Sequence, residues 1–575
     1  MRLKSIEINN YRNLDGIKLI FHPVINFLVG ETNLGKSNFL ALLNTIFNGT
    51  SFNETDFSNP KKPIEISFKL SLDNIEIGLF EDLFDPNESD SINIIAKQET
   101  IDDNVQFLHR ESGAYIPASS VKCLNYIYYD SLRNPSRELT FDKRKGVGRF
   151  LNHIFSKYLE REGIEDIDFI DRESLNKLLK FINEENLSKI KFFNEFSIFA
   201  NLEKDTQNLL ARIVTLKDEK NFNLQNLGYG VQFLSLICLT IFEKILTTSK
   251  YKREKGVFED DDGNKYISLL LGLDEPEIHL HPYMQRSLIR YLMSIIANED
   301  SDFVEVIANI FSIDRFLGQI IISTHSPNIL LSDYKQIIRF YRDGKNEIVV
   351  KNGQEISLGN DIEKHLLKNM PYIKEAFFSK CVILVEGDTE LGAFPIFAHN
   401  LNVDLDDHGI SVIQAGSADS IPSLKKLLEE FGINTVALMD RDRYDKKYKK
   451  IENLYSTDKQ DFEEEIVSTC IQEGQVNLLK DIVKNIDTRE LHRKINNKKL
   501  NSIISKYNIN LEDVNMDYDF RTDDTDLLYA LFLAWLDINK SIVLGRTIAE
   551  RLPNNLIPQK FKKVIEKALE ISQNV

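Results

Sequence analysis

The octapeptide Gly30-Glu31-Thr32-Asn33-Leu34-Gly35-Lys36-Ser37 has the spacing G-x-x-x-x-G-K-S. A largely apolar run, Val24 to Val29, precedes it, and a helical pattern from Asn38 to Phe47 follows. Phosphate binding needs this order. Glycines let backbone N–H groups close around phosphate oxygens, and the next helix turns its positive end toward them. Gly30, Asn33, Gly35, Lys36, Ser37 and Asn38 are therefore the expected nucleotide contacts. Lys36 would reach the β/γ-phosphates and the Ser37 hydroxyl would ligate magnesium. Downstream, Ile267 to Leu273 is apolar and ends in Asp274-Glu275-Pro276. A buried strand ending in two carboxylates is unfavourable unless the acids have a role. Asp274 is placed to hold magnesium, directly or through water, and Glu275 to polarise an attacking water. Another apolar strand, Ile320 to Ile322, ends in Ser323-Thr324-His325-Ser326-Pro327, where His325 could sense a γ-phosphate. Gly228-Tyr229-Gly230, within Asn226 to Gln232, opens a helix and reads as a phosphate cradle or a plain helix cap.

A second set of acids lies in the last third of the chain. Cys381 to Val385 is apolar and ends in Glu386, with a helix after it; Asn434 to Met439 ends in Asp440-Arg441-Asp442. On an extended strand end, Asp440 and Asp442 face the same way. With Glu386 at the carboxyl end of a parallel strand they make an all-oxygen set suited to Mg²⁺ or Mn²⁺. Asp388 reads as a helix N-cap rather than a ligand.

The elements that must position these groups set the organisation. The chain has 575 residues, enough for two to four domains. Residues 1–145 are strand-rich and carry the first phosphate motif. Residues 146–210 change to helical spacing and read as an insertion, either core or a dimer contact. Residues 211–354 return to strands that end in acids and a histidine. Residues 355–575 form a new α/β block with a helical end. Asp85 to Ser91 and Lys255 to Lys265 read as loops. No run approaches a membrane-spanning length, and the alternating start, Met1 to Ile8, lacks a signal-peptide core, which places the protein in the cytoplasm. Cys123, Cys238, Cys381 and Cys470 lie far apart, without zinc spacing, and read as buried free thiols. The net charge of −17 excludes a protein that simply coats nucleic acid. It does not exclude a nucleic-acid enzyme, because local patches and bound metal decide contact. Basic clusters at Lys143-Arg144-Lys145, Lys446 to Lys450 and Arg489 to Lys499 read first as solvated faces.

The order of motifs resembles the ABC-type ATPase head of SMC/Rad50-like proteins. In that resemblance Gly30 to Ser37 is Walker A, and Asn226 to Gln232 is the signature, with Gly228, Gly230 and Gln232 as nucleotide contacts. Asp274-Glu275 is Walker B, Leu280-His281-Pro282 the D-loop and His325 the switch histidine. Leu227 departs from the serine expected in the signature. No sustained heptads lie between Ser37 and Gly228, which argues against a long-armed SMC or Rad50 protein.

Glu386-Gly387 and Asp440-Arg441-Asp442 are similar to the motifs of the Toprim fold. The whole chain therefore resembles the OLD (overcoming lysogenization defect) family: an ABC-type P-loop head with a helical insertion, followed by a Rossmann-like Toprim domain. Tyr11-Arg12-Asn13-Leu14 and Thr324-His325-Ser326-Pro327 also match. The resemblance implies ATP as cofactor and two Mg²⁺ or Mn²⁺ ions in the Toprim site. It implies Glu386, Glu390, Asp440, Asp442 and an acid within Asp461 to Glu465 as ligands, Glu463 first and Asp461 next. Lys540 would be the charge-neutralising lysine. The implied activity is ATP-regulated DNA endonuclease cleavage in anti-phage defence, as in the Gabija nuclease subunit and retron-associated effectors. A homodimer or larger oligomer is expected, with a helicase subunit or retron nucleic acid as a further partner. The competing readings are a DNA-repair or clamp ATPase with a vestigial Toprim domain, and a topoisomerase- or primase-like enzyme. For the last of these no breakage module or zinc element is evident.

Overall fold

The computed structural model describes the chain apart from residues 74–75, 81–82, 84–87, 132–138, 140–145, 164–171, 190, 194–195, 203–213, 219, 252–255, 279, 359–372, 445–447, 513 and 574–575. The basic cluster at 143–145, part of that at 446–450, part of the expected loop at 85–91 and residues 359–372 near the start of the last block lie outside the described residues. Two compact units result. One comprises Met1–Phe340 with Ile348–Glu355, the other Tyr341–Glu347 with Ile356–Val575.

The first unit is built on two sheets. Arg2–Asn9 (β1) and Ile17–Ile20 (β2) form a hairpin; Ile25–Gly30 (β3) leads into the helix Lys36–Asn48 (α1). Ile64–Ser71 (β4), Ser91–Gln98 (β5), Gln106–His109 (β6) and Tyr115–Ile116 (β7) complete an antiparallel sheet of order β2-β1-β4-β5-β6-β7. Its strands alternate buried and half-exposed residues, as expected of a sheet with one covered face. The second sheet carries the chemistry. Asn125–Tyr129 (β8) and Phe258–Glu259 (β9) both pair with Lys265–Asp274 (β10). Then come Arg315–Ser323 (β11), β3, Ile337–Arg342 (β12) and Ile348–Asn352 (β13). β8, β10, β11, β3 and β12 run parallel. β3 is buried throughout and β10 nearly so, because a parallel sheet is covered on both faces. All their carboxyl ends therefore open on one edge, where parallel α/β sheets hold ligands.

The stretch expected to be a helical insertion is only partly helical. Gly146–Glu162 (α2), Arg172–Lys180 (α3) and a π-helical segment, Phe181–Asn186, are present. Lys191–Phe193 then pairs with Phe196–Ser197, and Phe199–Leu202 with Val214–Lys217, as short antiparallel ribbons. The run of phenylalanines there favours extended backbone over helix. Tyr229–Tyr251 (α4) contains a window, Gly230–Thr247, long and apolar enough to cross a membrane by length and composition, contrary to the sequence expectation. It reads as a core helix, because 67% of that window is buried and Leu236, Leu239, Ile241, Phe242 and Ile245 lie fully inside. Pro282–Ile296 (α5) and Ser301–Phe311 (α6) complete the described helices used below.

The second unit holds a four-stranded sheet. Cys381–Val385 (β14) is followed by Asp388–Asn400 (α7), Ile410–Gln414 (β15), Ile421–Glu430 (α8), Asn434–Met439 (β16) and Leu454–Ser456 (β17). The order is β15-β14-β16-β17 and every pairing is parallel. The helical remainder comprises Phe462–Gln472 (α9), Val476–Ile486 (α10), Asn497–Tyr507 (α11), Thr525–Ile538 (α12), Ile542–Arg551 (α13) and Gln559–Gln573 (α14). α12 is apolar on nearly every face and forms the centre of this core, with Trp535 buried. All four cysteines are free and buried.

Candidate nucleotide site and candidate metal centre

In the first unit, Gly30 ends β3 with φ +128°, and a Cβ there would stand 2.0 Å from the Phe340 carbonyl oxygen. Only glycine fits this bend. Asn33 (φ +61°) and Gly35 (φ +92°) curl the loop back toward α1. Thr32 to Asn38, Glu275 and His325 line a cavity of about 260 Å³. Lys36 is buried beneath it and donates to the carbonyls of Gly30 (3.0 Å) and Glu31 (2.5 Å). Burial pushes its ammonium down to about 8, against the pull of Glu275, Asp274, Glu277 and Glu31. An anionic phosphate in the cavity would reverse that shift.

The Ser37 hydroxyl donates to Asp274 Oδ1 at 2.9 Å, so the two expected magnesium groups already meet. Burial raises the Asp274 carboxyl above the usual carboxylate range. Glu275 holds the left-handed conformation (φ +48°), a strained state for a non-glycine residue of the kind found at functional sites. Its N–H bonds the Ser323 carbonyl (2.9 Å), and His325 Nε2 lies 3.5 Å from its Oε1. Burial, and then the charge of Lys36, lowers the His325 imidazole, favouring its neutral form.

Two acids here escaped the sequence reading. Glu277 Oε1 accepts the Thr324 hydroxyl (2.8 Å) and the His325 N–H (2.6 Å), fixing the histidine loop. Asp130 follows β8, which pairs with β10 through Tyr129 and Leu273, and its charge adds to the rise at Asp274. Asp130 repeats the pattern of an apolar strand ending in an acid, so that signal was available. Nothing in the sequence sets Glu277 apart from the turn that holds it. Asn38 accepts from Arg12 Nη1 (2.6 Å) and donates to Asn13 (2.8 Å), which ties the Tyr11 to Leu14 segment to the start of α1.

Gly228, Gly230 and Gln232 are not brought to this cavity. Gly228 is exposed, while Gly230 and Gln232 are buried in the first turn of α4. The Gln232 amide donates to the Leu227 carbonyl at 2.8 Å, so this side chain braces its own loop.

In the second unit, Glu386 and Asp440 stand at the carboxyl ends of the adjacent parallel strands β14 and β16. β16 ends at Met439, and Asp440-Arg441-Asp442 is a turn, not the extended strand end expected. The Arg441 N–H bonds the buried Thr457 hydroxyl (2.9 Å) and holds that turn. Asp442 is exposed, and its charge still reaches Glu386. Asp388 is the first residue of α7 and Gly387 takes the N-cap position, so Asp388 does not cap the helix by its side chain.

Glu390, one turn into α7, is buried; burial and then Glu463 raise its carboxyl. Burial raises Asp440 as well, reinforced by Glu390, Glu386, Asp461 and Glu463. Glu463 is also raised by burial, and Lys540, whose Nζ is 2.9 Å away, opposes the shift. Burial works against the Lys540 charge, yet Glu463, Asp461 and Asp440 outweigh it and hold the ammonium above the ordinary lysine range. Phe462 stacks on Phe561 (5.2 Å between centroids) and anchors the turn that carries Glu463.

Within Asp461 to Glu465 the structure separates the candidates. Asp461 caps α9 through the Glu464 N–H and accepts from Lys506 (2.8 Å) and the Tyr507 hydroxyl (2.6 Å). Glu464 accepts from the Gln460 N–H and from Tyr529. Glu465 accepts the N–H groups of Asp458 and Lys459. Glu463 alone of the run pairs with Lys540.

Among the described residues, no group of three or more His, Cys, Asp or Glu side chains stands close enough together, as they lie, to hold a metal ion. The donor set nonetheless fits divalent metal. It is all carboxylate, several members are pushed toward protonation by burial and mutual repulsion, and buried Glu386 Oε2 has no hydrogen-bond partner.

The first unit is thus a P-loop ATPase head, and the second a parallel α/β domain with acids at its strand tips. The chain belongs to the AAA ATPase domain family, which it matches over residues 1–134 and 118–330. Residues 377–442 match the Toprim domain of proteins like the overcoming lysogenization defect protein, so an ATPase head and an OLD-like Toprim domain lie in one chain. The Old nuclease of Escherichia phage P2 is 23% identical over 555 residues, 85% of this chain and 83% of that protein. The OLD nuclease of Thermus scotoductus is 22% identical over 484 residues, 76% and 82% of the two chains. Endonuclease GajA of Bacillus cereus is 22% identical over 435 residues, 69% of this chain and 59% of that protein.

Proposed function

We propose that this protein is a metal-dependent DNA endonuclease whose ATPase head regulates cleavage, acting in the cytoplasm in defence against phage. The observation that carries the reading is the pair of half-buried carboxylates at the ends of β14 and β16, with the buried Glu390 and Glu463 on α7 and α9 and Lys540 paired to Glu463. Relatives named as nucleases over most of the chain support it.

Glu386, Glu390, Asp440, Asp442 and Glu463 would hold two Mg²⁺ or Mn²⁺ ions. Bound there, the metal would lower the pKa of the attacking water and offset the charge of the scissile phosphate. Lys540 would hold its proton and donate to a phosphate oxygen, since the acids around it keep it charged. Asp461 would orient α9 rather than bind metal. In the head, Lys36 would exchange the carbonyls of Gly30 and Glu31 for phosphate oxygens of ATP, and Ser37 and Asp274 would take the accompanying magnesium. Glu275 would orient water and His325 would contact the γ-phosphate. Gly228, Gly230 and Gln232 would complete the site from a second copy, so the working state would be a homodimer or larger. A helicase subunit or retron nucleic acid would be a further partner.

The test is plasmid cleavage with Mg²⁺ or Mn²⁺, with and without ATP, beside Glu386→Ala and Lys36→Ala. Loss of all cutting in Glu386→Ala is expected, with altered ATP response but intact chemistry in Lys36→Ala. No cutting by the unmodified protein under any condition would overturn the nuclease and leave the clamp ATPase.

A further inference from the structure

Large apolar side chains exposed on this protein are few among the described residues, and they are not scattered evenly. Three of the eight, Ile538 (58% exposed), Ile542 (49%) and Val543 (64%), fall within six residues of one another, on either side of Lys540. They sit on the end of α12 and the start of α13. The junction between these helices is firmly held. The Asn539 amide donates to the Trp535 carbonyl, and the Ser541 hydroxyl donates to Asn539 O while accepting the Leu544 N–H. Ile542 is braced from below, since its carbonyl lies where a Cβ on Gly392 of α7 would be, at 2.1 Å. Three exposed aliphatic side chains on one firmly held helix junction mark a contact surface rather than ordinary surface composition.

The occupant follows from what lies between these residues. Lys540 is 42% exposed and its ammonium turns inward to Glu463. On the nuclease reading, on which this inference rests, the scissile phosphate must approach that ammonium from outside. A phosphate held there would bring its sugar and base toward Ile538, Ile542 and Val543, which flank Lys540 along the helix junction. Aliphatic side chains offer a stacked base pair no hydrogen bonds, but they can wedge beside an unstacked base. We propose that Ile538, Ile542 and Val543 form an apolar wedge that holds an unstacked nucleobase beside the scissile phosphate. The protein therefore favours DNA whose base step at the cut is already loosened.

The test uses the full-length protein and Ile538→Ser/Val543→Ser, which changes exposed side chains outside the metal centre. Two duplexes of one sequence are compared, one fully paired and one with a mismatched patch at the cut. The double variant is expected to cut the paired duplex about tenfold more slowly and the mismatched duplex within about twofold of the unmodified rate. With Ca²⁺ in place of Mg²⁺, 2-aminopurine at the cut site should brighten on binding the unmodified protein and stay dim with the variant. Equal slowing on both duplexes, no slowing on either, or unchanged brightening would overturn the wedge. A change in solution mass of the variant would overturn it in favour of a contact between protein copies. If the unmodified protein cuts neither duplex, the nuclease reading itself fails, and the 2-aminopurine signal still reports on the wedge.

Discussion

Lys540 Nζ lies 2.9 Å from Oε2 of Glu463, pairing a partly exposed cation with an almost wholly buried carboxylate. Such a pair adds little to stability, because desolvation of the acid offsets the attraction and solvent screens the lysine. Its worth lies in placing a fixed positive charge at the mouth of an acidic site. Lys540→Gln should therefore lower cleavage about a hundredfold, the usual effect of losing one electrostatic donor. Thermal stability should also fall, by up to about 3 kcal/mol, because Glu463 is left buried without its cation. Initial plasmid-nicking rates and melting curves of the same preparation check both; an unchanged rate would remove Lys540 from the reacting centre.

The metal centre should also show in the pH dependence of stability. Burial and neighbouring acids raise Glu390 from 4.5 to about 8 in the folded protein. Above 4.5 the unfolded chain has released that proton while the folded chain still holds it. The folded state then binds more protons, so stability falls as pH rises from 4.5 toward 8. Asp440, raised from 3.8 to about 9, acts in the same direction. Metal-free melting temperatures should fall across this window, by roughly 2–4 °C per kcal/mol lost. Mg²⁺ or Mn²⁺ should flatten the fall, because metal binding displaces these protons. Melting curves across the window, with and without Mn²⁺, measure it; a metal-free profile that rises with pH would refute the cluster's electrostatics.

Much of this architecture was legible in the sequence wherever one chemistry forces one geometry. A parallel strand buried on both faces must be apolar until its carboxyl end, so Asp274, Glu386 and Asp440 were marked by where the apolar run stops. Gly30 to Ser37 was marked in the same way by the backbone bend it needs. What escaped depends on contacts between distant segments. Glu277 matters through Thr324 and His325, and the engagement of Asp461 by Lys506 and Tyr507 could not be read from the run of acids that holds it. The ribbons after Asn186 were misread because lysines and glutamates between apolar residues fit helical spacing, while the phenylalanines that favour strands were given no weight.

The crossing of α7 and α13 sets the distance between Glu390 and Lys540. A Cβ on Gly545 of α13 would stand 1.8 Å from the Thr389 carbonyl oxygen, one residue before Glu390. Since that obstacle is backbone, Gly545→Ala must push the helices apart. The expected loss is about 1–3 kcal/mol, as for other overpacked contacts, together with weaker Mn²⁺ binding. Gly163→Ala serves as control, because its left-handed backbone (φ +65°) is strained by alanine with no atom within 4 Å of the new Cβ. Melting curves and Mn²⁺ titration of both variants test this; a Gly545→Ala protein with unchanged metal affinity would separate the crossing from the site.

In the head, Glu277 joins the histidine loop to the turn after β10. Glu277→Ala would leave the Thr324 hydroxyl and the His325 N–H without their acceptor, a loss of about 1–3 kcal/mol of local order. On the proposed reading nucleotide binding would rest on Lys36 and the loop from Gly30 to Ser37, so it should persist. ATP turnover, which on the proposed reading would use His325 and Glu275 together, should fall at least about tenfold. Glu277→Gln keeps an accepting oxygen and should restore most of it. Calorimetry for ATP affinity and phosphate release for turnover separate the two effects; equal loss of both would make Glu277 a general folding residue.

Asp461 and Glu463 make opposite predictions for metal binding. Both oxygens of Asp461 are already engaged, one by the Glu464 N–H and the other by Lys506 and Tyr507. Asp461→Asn keeps the helix cap, because an amide oxygen also accepts from the Glu464 N–H. At the other oxygen it puts a donor where Lys506 and Tyr507 both donate, so those two bonds are disturbed. Its effect on Mn²⁺ affinity should be an indirect one, at most about tenfold, as for a residue that supports a ligand. Glu463 instead sits against Lys540 with Oε2 at 2.9 Å and feels the charge of Asp461. Glu463→Gln removes a charged donor and should weaken Mn²⁺ binding by about a hundredfold or more. Glu463→Gln should also free Lys540 and lower its pKa, because Glu463 is the strongest influence holding that ammonium charged. Calorimetric Mn²⁺ titration of the two variants decides between them. If Asp461→Asn loses more affinity than Glu463→Gln, the ligand on α9 is Asp461, and its bonds to Lys506 and Tyr507 must open when metal binds.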